Sequence, residues 1–160
     1  MPSLLVTNDF PPKIGGIQSY LYELWRRLPP AETTVLTTPY EGDDAWDARH
    51  RFRVDRVQRF VMLPTRRIAR RIRALAAEVG AQVVFIDPMF PVGVVAPRLR
   101  DRPYVVVVHG AEITVYGRLW ITRPLARRTL RGAAGIIAAG EYVARECLSL
   151  IHISEPTRRS

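Results

Sequence analysis

The feature that most constrains the fold of this chain is a regular alternation of short apolar runs with longer segments of helical periodicity. The clearest apolar run is YVVVV at residues 104–108, whose four consecutive valines suit a strand that is buried on both faces. Such a strand needs helices above and below it, and helices placed between successive strands lead to parallel pairing. The sequence therefore predicts an α/β fold: one Rossmann-like, doubly wound, mostly parallel sheet.

The other elements are predicted from periodicity and from the turn residues at their ends. The predicted strands are Ser3–Thr7, Thr33–Thr37, Val83–Ile86, Tyr104–Val108 and Gly135–Ala139, with one more short strand inside residues 51–63. The predicted helices are Gly16–Leu28, Thr65–Val79, Pro91–Leu99 and Thr122–Arg131, and a further helix starts within EYVARE. Residues 39–44 are predicted to be a loop, and Gly80 is expected to end the helix before it as a C′ residue.

Composition limits the partners of the chain. Of its 160 residues, 24 are basic and 15 are acidic, which gives a net charge of +9, and Lys13 is the single lysine. A basic surface favours phosphates, nucleic acid or anionic lipid headgroups, although an arginine bias also arises in GC-rich genomes. Nucleic acid is disfavoured because the basic residues are spread over several elements without an aromatic platform. The one cysteine, Cys147, excludes an internal disulfide and a cysteine-based zinc site.

The apolar runs and the N-terminus bear on localisation. The apolar runs are far shorter than the roughly 20 residues that a membrane-spanning helix needs. The opening residues, MPSLLVTNDF, lack the basic segment that begins a secretory signal peptide. The sequence therefore predicts a cytoplasmic protein.

A glycine pair, Gly15 and Gly16, separates the first predicted strand from the first predicted helix in TNDFPPKIGGI. Glycine tolerates φ > 0 and leaves room for a close approach to the backbone, and a helix N-terminus that follows it suits a phosphate. An ordinary glycine turn explains the pair equally well. The spacing lacks the G-x-G-x-x-G fingerprint, which argues against an NAD enzyme.

His109 directly follows the valine-rich strand and precedes Gly110, which is expected to let the chain turn sharply. Ligands of doubly wound sheets bind at the carboxyl ends of the strands, so His109 is a candidate site residue. The alternative is a histidine that only caps the strand end by hydrogen bonds. An α/β-hydrolase oxyanion loop is excluded because the chain contains no G-x-S-x-G.

Arginines cover the exposed side of the predicted helix 65–79. They are Arg66, Arg67, Arg70, Arg71 and Arg73. Such a face is either simply solvated or attracts anionic lipid, which contributes about 1 kcal/mol per basic residue near the surface. The second interpretation predicts peripheral contact with an anionic membrane at the inner face of the plasma membrane.

Three segments, LLVTNDFPPKIGGIQSYLYEL, VVVVHGAEIT and GIIAAGEYVARE, occur in an order that resembles the N-terminal half of GT4-type GT-B glycosyltransferases. Within that family the chain is most similar to actinobacterial phosphatidylinositol-mannoside mannosyltransferases. The resemblance implies metal-independent, retaining transfer of a sugar, expected to be mannose from GDP-mannose, to an acceptor that is expected to be a glycolipid or sugar. The alternative is a non-catalytic Rossmann-like module that binds a phosphorylated small molecule.

The resemblance also implies roles for single residues. Gly15 and Gly16 would approach the diphosphate of the donor, and His109 would contact the transferred sugar as the catalytic histidine. Asn8, Asp9 and Lys13 are acceptor-side candidates. No residue is expected to bind a metal, and no cofactor other than the sugar-nucleotide donor is implied.

The end of the chain carries a separate expectation. Leu148 to Arg158, LSLIHISEPTR, resembles a translated sequencing adapter, so residues 148–160 are expected to be non-native and the helical period to be lost after Glu146. Residues 1–147 then correspond to the GT-B N-terminal domain without its donor-binding partner domain. Such a fragment is expected to be inactive alone.

Overall fold

The computed structural model describes residues 1–99, 101–116 and 119–152. The strands are β1 Ser3–Thr7, β2 Thr33–Thr37, β3 Arg53–Arg56, β4 Val83–Asp87, β5 Tyr104–Val108 and β6 Gly135–Ala138. The α-helices are α1 Gly16–Trp25, α2 Asp43–Asp47, α3 Arg66–Glu78, α4 Ala111–Tyr116, α5 Arg123–Arg131 and α6 Glu141–Ile151. Two 3₁₀ segments cover Pro30–Glu32 and Val92–Arg98.

The strands form a single sheet in the order β3-β2-β1-β4-β5-β6, and every neighbouring pair is parallel. The chain builds outward from β1 to β3 and then returns to the other side of β1 to place β4. The connections that leave β1 and β4 therefore diverge, and a crevice opens between them at the carboxyl ends of the strands. The prediction of a Rossmann-like, doubly wound sheet is confirmed.

Apolar side chains of the strands alternate between two layers of helix. Leu4 and Val6 join a large core with α3, the Val92–Arg98 segment, α5 and α6. Leu5 points to the other layer, where Leu21 and Trp25 of α1 pack. Because both faces are covered, the central strands consist almost entirely of apolar residues, as the valine run predicts.

Helix α3 shows why its segment is helical. The hydroxyl of its N-cap residue, Thr65, accepts a hydrogen bond from the backbone N–H of Ile68 at 3.2 Å. Ile72 and Leu75 lie on the buried stripe, which faces the core. Gly80 follows with φ of 64°, in the left-handed region, so the predicted C′ glycine is confirmed.

Three boundaries or element types differ from the predictions. Helix α1 ends at Trp25 instead of Leu28. Pro29 and Pro30 follow, and a proline disfavours helical backbone in the residue before it. The segment predicted as a helix at Pro91–Leu99 is 3₁₀, with Pro97 inside it, which has no N–H to donate. The short helix α2 lies where a loop is predicted, in residues 39–44 and just beyond.

The C-terminal helix is longer than predicted. Helix α6 runs to Ile151, and Leu150 is 6% exposed and belongs to the large core. The predicted loss of helical period after Glu146 is therefore wrong, because Val143, Cys147 and Leu150 repeat on one buried face. The non-native origin of residues 148–160 stays a prediction, and residues 153–160 lie outside the described ones.

Candidate functional site

The centre of the candidate site is a chain of hydrogen bonds across three neighbouring strand ends. The Thr7 hydroxyl, at the end of β1, donates to Oδ2 of Asp87 at 2.9 Å. Asp87, at the end of β4, faces Nε2 of His109 with Oδ1 at 2.5 Å. Because β1, β4 and β5 are adjacent and parallel, residues far apart in the sequence meet at one edge of the sheet. The structure therefore places His109 in the predicted crevice.

The electrostatics of this cluster favour a bound proton. Asp87 is fully buried, and burial raises the pKa of its carboxyl although the hydrogen bond from His109 acts in the opposite direction. Burial by itself would lower the pKa of His109, but the hydrogen bond and the charge of Asp87 outweigh it, so the pKa of the imidazole is raised. Glu112 and Asp9 act in the same direction on His109. The Asp87–His109 pair thus retains its proton more strongly than free side chains would.

The turn after β5 fixes the backbone of His109. Gly110 has φ of 115°, and a Cβ there would lie 3.1 Å from Cγ2 of Val143, so the predicted sharp turn at a glycine is confirmed. The carboxylate of Glu112, at the start of α4, accepts a hydrogen bond from the backbone N–H of His109 at 3.0 Å. Both the main chain and the side chain of His109 are therefore held by buried carboxylates.

Asp9 forms the hydrogen bonds that hold together the loop between β1 and α1. Its backbone N–H donates to the hydroxyl of Thr7 at 2.9 Å, which connects the loop to the Asp87 cluster. Its Oδ1 accepts from Nζ of Lys13 at 2.7 Å and from Nε2 of Gln18 at 2.9 Å. Asp9 and Lys13, two of the acceptor-side candidates, therefore form an ion pair beside the crevice.

Gly15 and Gly16 have different structural roles. Gly15 has φ of 167°, which is extended backbone, and Gly16 begins α1, so neither glycine uses the positive φ that this residue type tolerates. A Cβ at Gly15 would lie 2.2 Å from Oε1 of Gln18, whereas one at Gly16 would meet nothing within 4 Å. The N-cap of α1 makes no side-chain hydrogen bond, and Gly16 is exposed. Gly16 has open space around its Cα and its proposed approach to a phosphate stays a prediction, while Gly15 is required by packing.

Aromatic contact joins this opening to the histidine. Tyr20, one turn after Gly16 on α1, meets the imidazole of His109 edge to face, with centroids 5.6 Å apart and an interplanar angle of 89°. The glycine loop and the valine-rich strand therefore border the same crevice.

Asn8 contributes to the site indirectly, by hydrogen bonds to the backbone of another segment. It is 8% exposed, and its amide bonds both main-chain polar groups of Met62. Unlike Asp9 and Lys13, it has little surface to offer to an acceptor. The structure makes Asn8 a residue that positions the segment before α3.

A groove of about 920 Å³ lies between β3 and α3. It is lined by Arg56, Val57, Gln58, Arg59, Val61, Leu63, Thr65, Arg67, Ile68 and Arg71. Beside it, Phe60 is 86% exposed. The arrangement offers guanidinium groups and an apolar surface together, which suits an amphiphilic anion. The irregular RFVML run is the sequence signal for this groove, and sequence reasoning missed it.

The five arginines of α3 are all exposed, as predicted, but they are not equivalent. Arg71 pairs with Asp55 at 2.5 Å and Arg73 with Asp101 at 3.4 Å. Within the described residues, no ion pair engages the other three, which are Arg66, Arg67 and Arg70. The unneutralised charge of the helix is therefore concentrated in its first half.

Sequence reasoning also missed Asp87, which reads as a strand terminator before a proline. The available signal was its position: an acidic residue at the carboxyl end of a buried strand faces the crevice of a doubly wound sheet.

In the described part of the chain, no group of three or more His, Cys, Asp or Glu side chains is placed to hold a metal ion. No helix in those residues combines the length and the apolarity needed to cross a bilayer.

Solved structures with a similar fold contain UDP or UDP-glucose. The crystal structure of Anabaena Alr3699/HepE in complex with UDP superposes with a TM-score of 0.68 at 14% identity, and the match covers 94% of this chain and 41% of that one. The complex of HepE with UDP-glucose gives a TM-score of 0.63 at 16% identity, covering 92% and 40%. At these identities the likeness shows the fold.

Curated relatives are closer in sequence. The GDP-mannose-dependent alpha-(1-6)-phosphatidylinositol monomannoside mannosyltransferase of Mycobacterium tuberculosis strain H37Rv is 39% identical over 137 residues, which cover 80% of this chain and 34% of the relative. The enzyme of the same description from Mycolicibacterium smegmatis is 36% identical over 135 residues, with the same two shares. The Corynebacterium glutamicum GDP-mannose-dependent monoacylated alpha-(1-6)-phosphatidylinositol monomannoside mannosyltransferase is 29% identical over 151 residues, covering 91% and 38%. The chain thus spans little more than a third of the length of these relatives.

The family itself follows from a match over most of the chain. Residues 14–158 match the family model for Glycosyltransferase Family 4, and this range includes α1 and the crevice residues Asp87 and His109. Because this match covers most of the chain, it shows that the chain belongs to Glycosyltransferase Family 4.

Proposed function

We propose that this chain supplies the acceptor-side half of a retaining, metal-independent mannosyltransferase that moves mannose from GDP-mannose to a phosphatidylinositol-type glycolipid. The names of the relatives support the donor and the class of acceptor. The observation that carries the proposal is the shared crevice, in which the open N-terminus of α1 at Gly16 lies beside His109 through the contact with Tyr20. A partner domain would close the other side of this crevice.

On the donor side, the proposed ligand of α1 is the diphosphate of GDP-mannose. Unpaired N–H groups and the helix dipole favour an anion there, and the missing side chain at Gly16 leaves space for it. His109 would contact the mannose by a hydrogen bond. Fixed donors in a closed crevice stabilise the oxocarbenium-like transition state and the departing diphosphate, because they need no reorganisation during the reaction.

On the acceptor side, the proposed contacts are the ion-paired loop residues Asp9 and Lys13 and the groove between β3 and α3. Arg59 and Arg67 suit a phosphodiester, and Val61 and Leu63 suit the first part of an acyl chain. Asn8 connects the two regions by holding Met62. The groove therefore supports an amphiphilic anionic acceptor better than a soluble neutral sugar.

The same surface supports peripheral membrane contact. Arg66, Arg67 and Arg70 carry charge that no described acidic residue neutralises, and Phe60 is exposed in the segment that lines the same groove. Basic residues next to an aromatic side chain suit the headgroup region of an anionic leaflet. We propose that the protein works in the cytoplasm, in peripheral contact with the inner face of the plasma membrane.

A chimera tests the proposed function. Residues 1–146 of this chain replace the matching segment of the M. tuberculosis relative, and transfer of labelled mannose from GDP-mannose to a phosphatidylinositol mannoside is measured beside the unchanged relative. The chimera is expected to transfer mannose, and His109→Ala in the chimera is expected to lower the rate roughly 100-fold or more. A folded chimera that binds GDP-mannose without transfer would favour the non-catalytic phosphate-binding module.

The 160-residue chain alone is expected to give no transfer in the same assay, because half a crevice neither excludes water nor surrounds the donor. Product above the level of a boiled control would contradict this part of the proposal.

A further inference from the structure

Asp87 is a fully buried carboxylate that lies one layer behind the crevice. Neither of its oxygens is available to a ligand, since Oδ2 accepts from Thr7 at 2.9 Å and Oδ1 lies 2.5 Å from Nε2 of His109. A buried carboxylate is costly unless its partners are well placed. Its position therefore calls for a role that is exerted through His109.

We propose that Asp87 is a positioning residue: by engaging Nε2 of His109, it makes Nδ1 the ring nitrogen that is offered to the ligand in the crevice. The proposal rests on the proposed role of His109 and adds the direction of its hydrogen bond. The ligand group at Nδ1 is an oxygen of the sugar or of the phosphates.

The hydrogen-bond network fixes the donors and acceptors among Thr7, Asp87 and His109. The hydroxyl of Thr7 accepts from the backbone N–H of Asp9, so its own hydrogen is directed to Asp87. With Oδ2 occupied in this way, Oδ1 remains for the histidine. A flip of the imidazole would replace Nε2 by a carbon at Asp87 and so break this bond, although the ring plane against Tyr20 would stay the same.

The hydrogen bond between Asp87 and His109 holds one proton between Oδ1 and Nε2. Wherever that proton resides along the bond, a further proton bound by the pair must be on Nδ1. The groups that face the imidazole are Asp9 from the β1–α1 loop, Glu112 from α4 and the phenol of Tyr20 from α1. The carboxylates of Asp87, Glu112 and Asp9 raise the pKa of His109, which favours an Nδ1–H donor near neutral pH. When that proton leaves, Nδ1 becomes an acceptor while Nε2–H still donates to Asp87.

Histidine NMR tests the proposal on the chain itself, without any transfer reaction. Long-range ¹H–¹⁵N spectra follow the three histidines, His50, His109 and His152, across pH and report which ring nitrogen is protonated. For His109 we expect a pKa above the ordinary value and a neutral form that carries its proton on Nε2. A neutral form protonated on Nδ1 in the unaltered chain would overturn the proposal, and this measurement requires no variant.

Asp87→Asn gives a sharper outcome. Because the Thr7 hydroxyl still needs an acceptor, the new amide is expected to turn its oxygen to Thr7 and its NH₂ to His109. Nε2 must then accept, so the neutral form of His109 is expected to switch to Nδ1–H and its pKa to fall. His50, which bonds Tyr22 and Trp46 elsewhere, is the internal control and is expected to keep its spectrum. Unchanged His109 signals in a folded Asp87→Asn variant would overturn the proposal, whereas a failed chimera with the expected NMR result would overturn the transferase function alone.

Discussion

The side-chain amide of Asn8 forms hydrogen bonds with both the backbone N–H and the backbone carbonyl of Met62. The N–H of Met62 donates to Oδ1 of Asn8 at 2.7 Å, and Nδ2 of Asn8 donates to the carbonyl of Met62 at 3.4 Å. The hydroxyl of Thr38, after β2, donates to the backbone carbonyl of Asn8 at 3.2 Å. The end of β1 is thereby tied to the segment that lines the groove.

Replacement of Asn8 by Ala should therefore destabilise the chain. It leaves the buried N–H of Met62 without its partner, which costs about 1–3 kcal/mol of unfolding free energy. Urea unfolding followed by circular dichroism measures the change. Gln58→Ala, an exposed position on the same segment, is the control and is expected to change stability by less than about 0.5 kcal/mol. Equal stability of the two variants would contradict a stabilising role for the hydrogen bonds between Asn8 and Met62.

The two glycines should respond differently to alanine. In Gly15→Ala the new methyl displaces the buried Gln18 side chain from Asp9, which costs about 1–2 kcal/mol of unfolding free energy. Gly16→Ala meets no neighbour and begins a helix, so its stability should stay the same or rise by up to about 1 kcal/mol.

Binding separates the roles of the same two residues. Gly16→Ala is expected to weaken binding of inorganic pyrophosphate or GDP, measured by calorimetry, because the methyl occupies the space where the anion would approach the amides of α1. If a stable Gly16→Ala variant binds these ligands as the unaltered chain does, the diphosphate does not sit at this helix.

Vesicle binding should depend on which arginines are removed. The double variants Arg66→Gln with Arg70→Gln and Arg71→Gln with Arg73→Gln remove the same charge, but only the second pair is engaged by Asp55 and Asp101. At about 1 kcal/mol per free basic residue, the first variant should weaken sedimentation with phosphatidylinositol-containing vesicles roughly 30-fold at low salt. The second should weaken it less. Equal losses, or binding that is insensitive to salt, would argue against electrostatic docking through the first half of α3.

Stability should fall as pH rises above the ordinary histidine value of about 6.5. The pKa of His109 is raised in the folded chain by Asp87, so in this window the folded state binds more protons than the unfolded state. The contribution of His109 to stability is then fully present below 6.5 and is lost as pH rises through the folded pKa. Urea midpoints of the unaltered chain and of His109→Gln, taken across this range, isolate the contribution. A difference between them that grows with rising pH would have the wrong sign.

Much of the fold could be predicted because its causes are local. The valines at 105–108 need cover on both faces, and the stripe through Ile72 and Leu75 needs one covered face. The wrong predictions also had local signals, such as Pro97 inside the 3₁₀ segment. In α6 the repeat of Val143, Cys147 and Leu150 continues the helix, and the core that buries Leu150 comes from distant elements.

The sequence by itself determined the layers of this protein and the edge of the sheet at which Gly16 and His109 would lie. The reason is that the periodicity of each segment and the succession of strands and helices along the chain can be read directly from the sequence. Only the tertiary structure decided that Asp87 holds His109, that Gly15 makes room for Gln18, and that two of the five α3 arginines are neutralised. Thr7 and Asp87 are 80 residues apart, yet the register of β1 with β4 makes them direct neighbours. Hydrogen bonds act over a few ångströms, so their pattern exists only once the strands have been placed side by side.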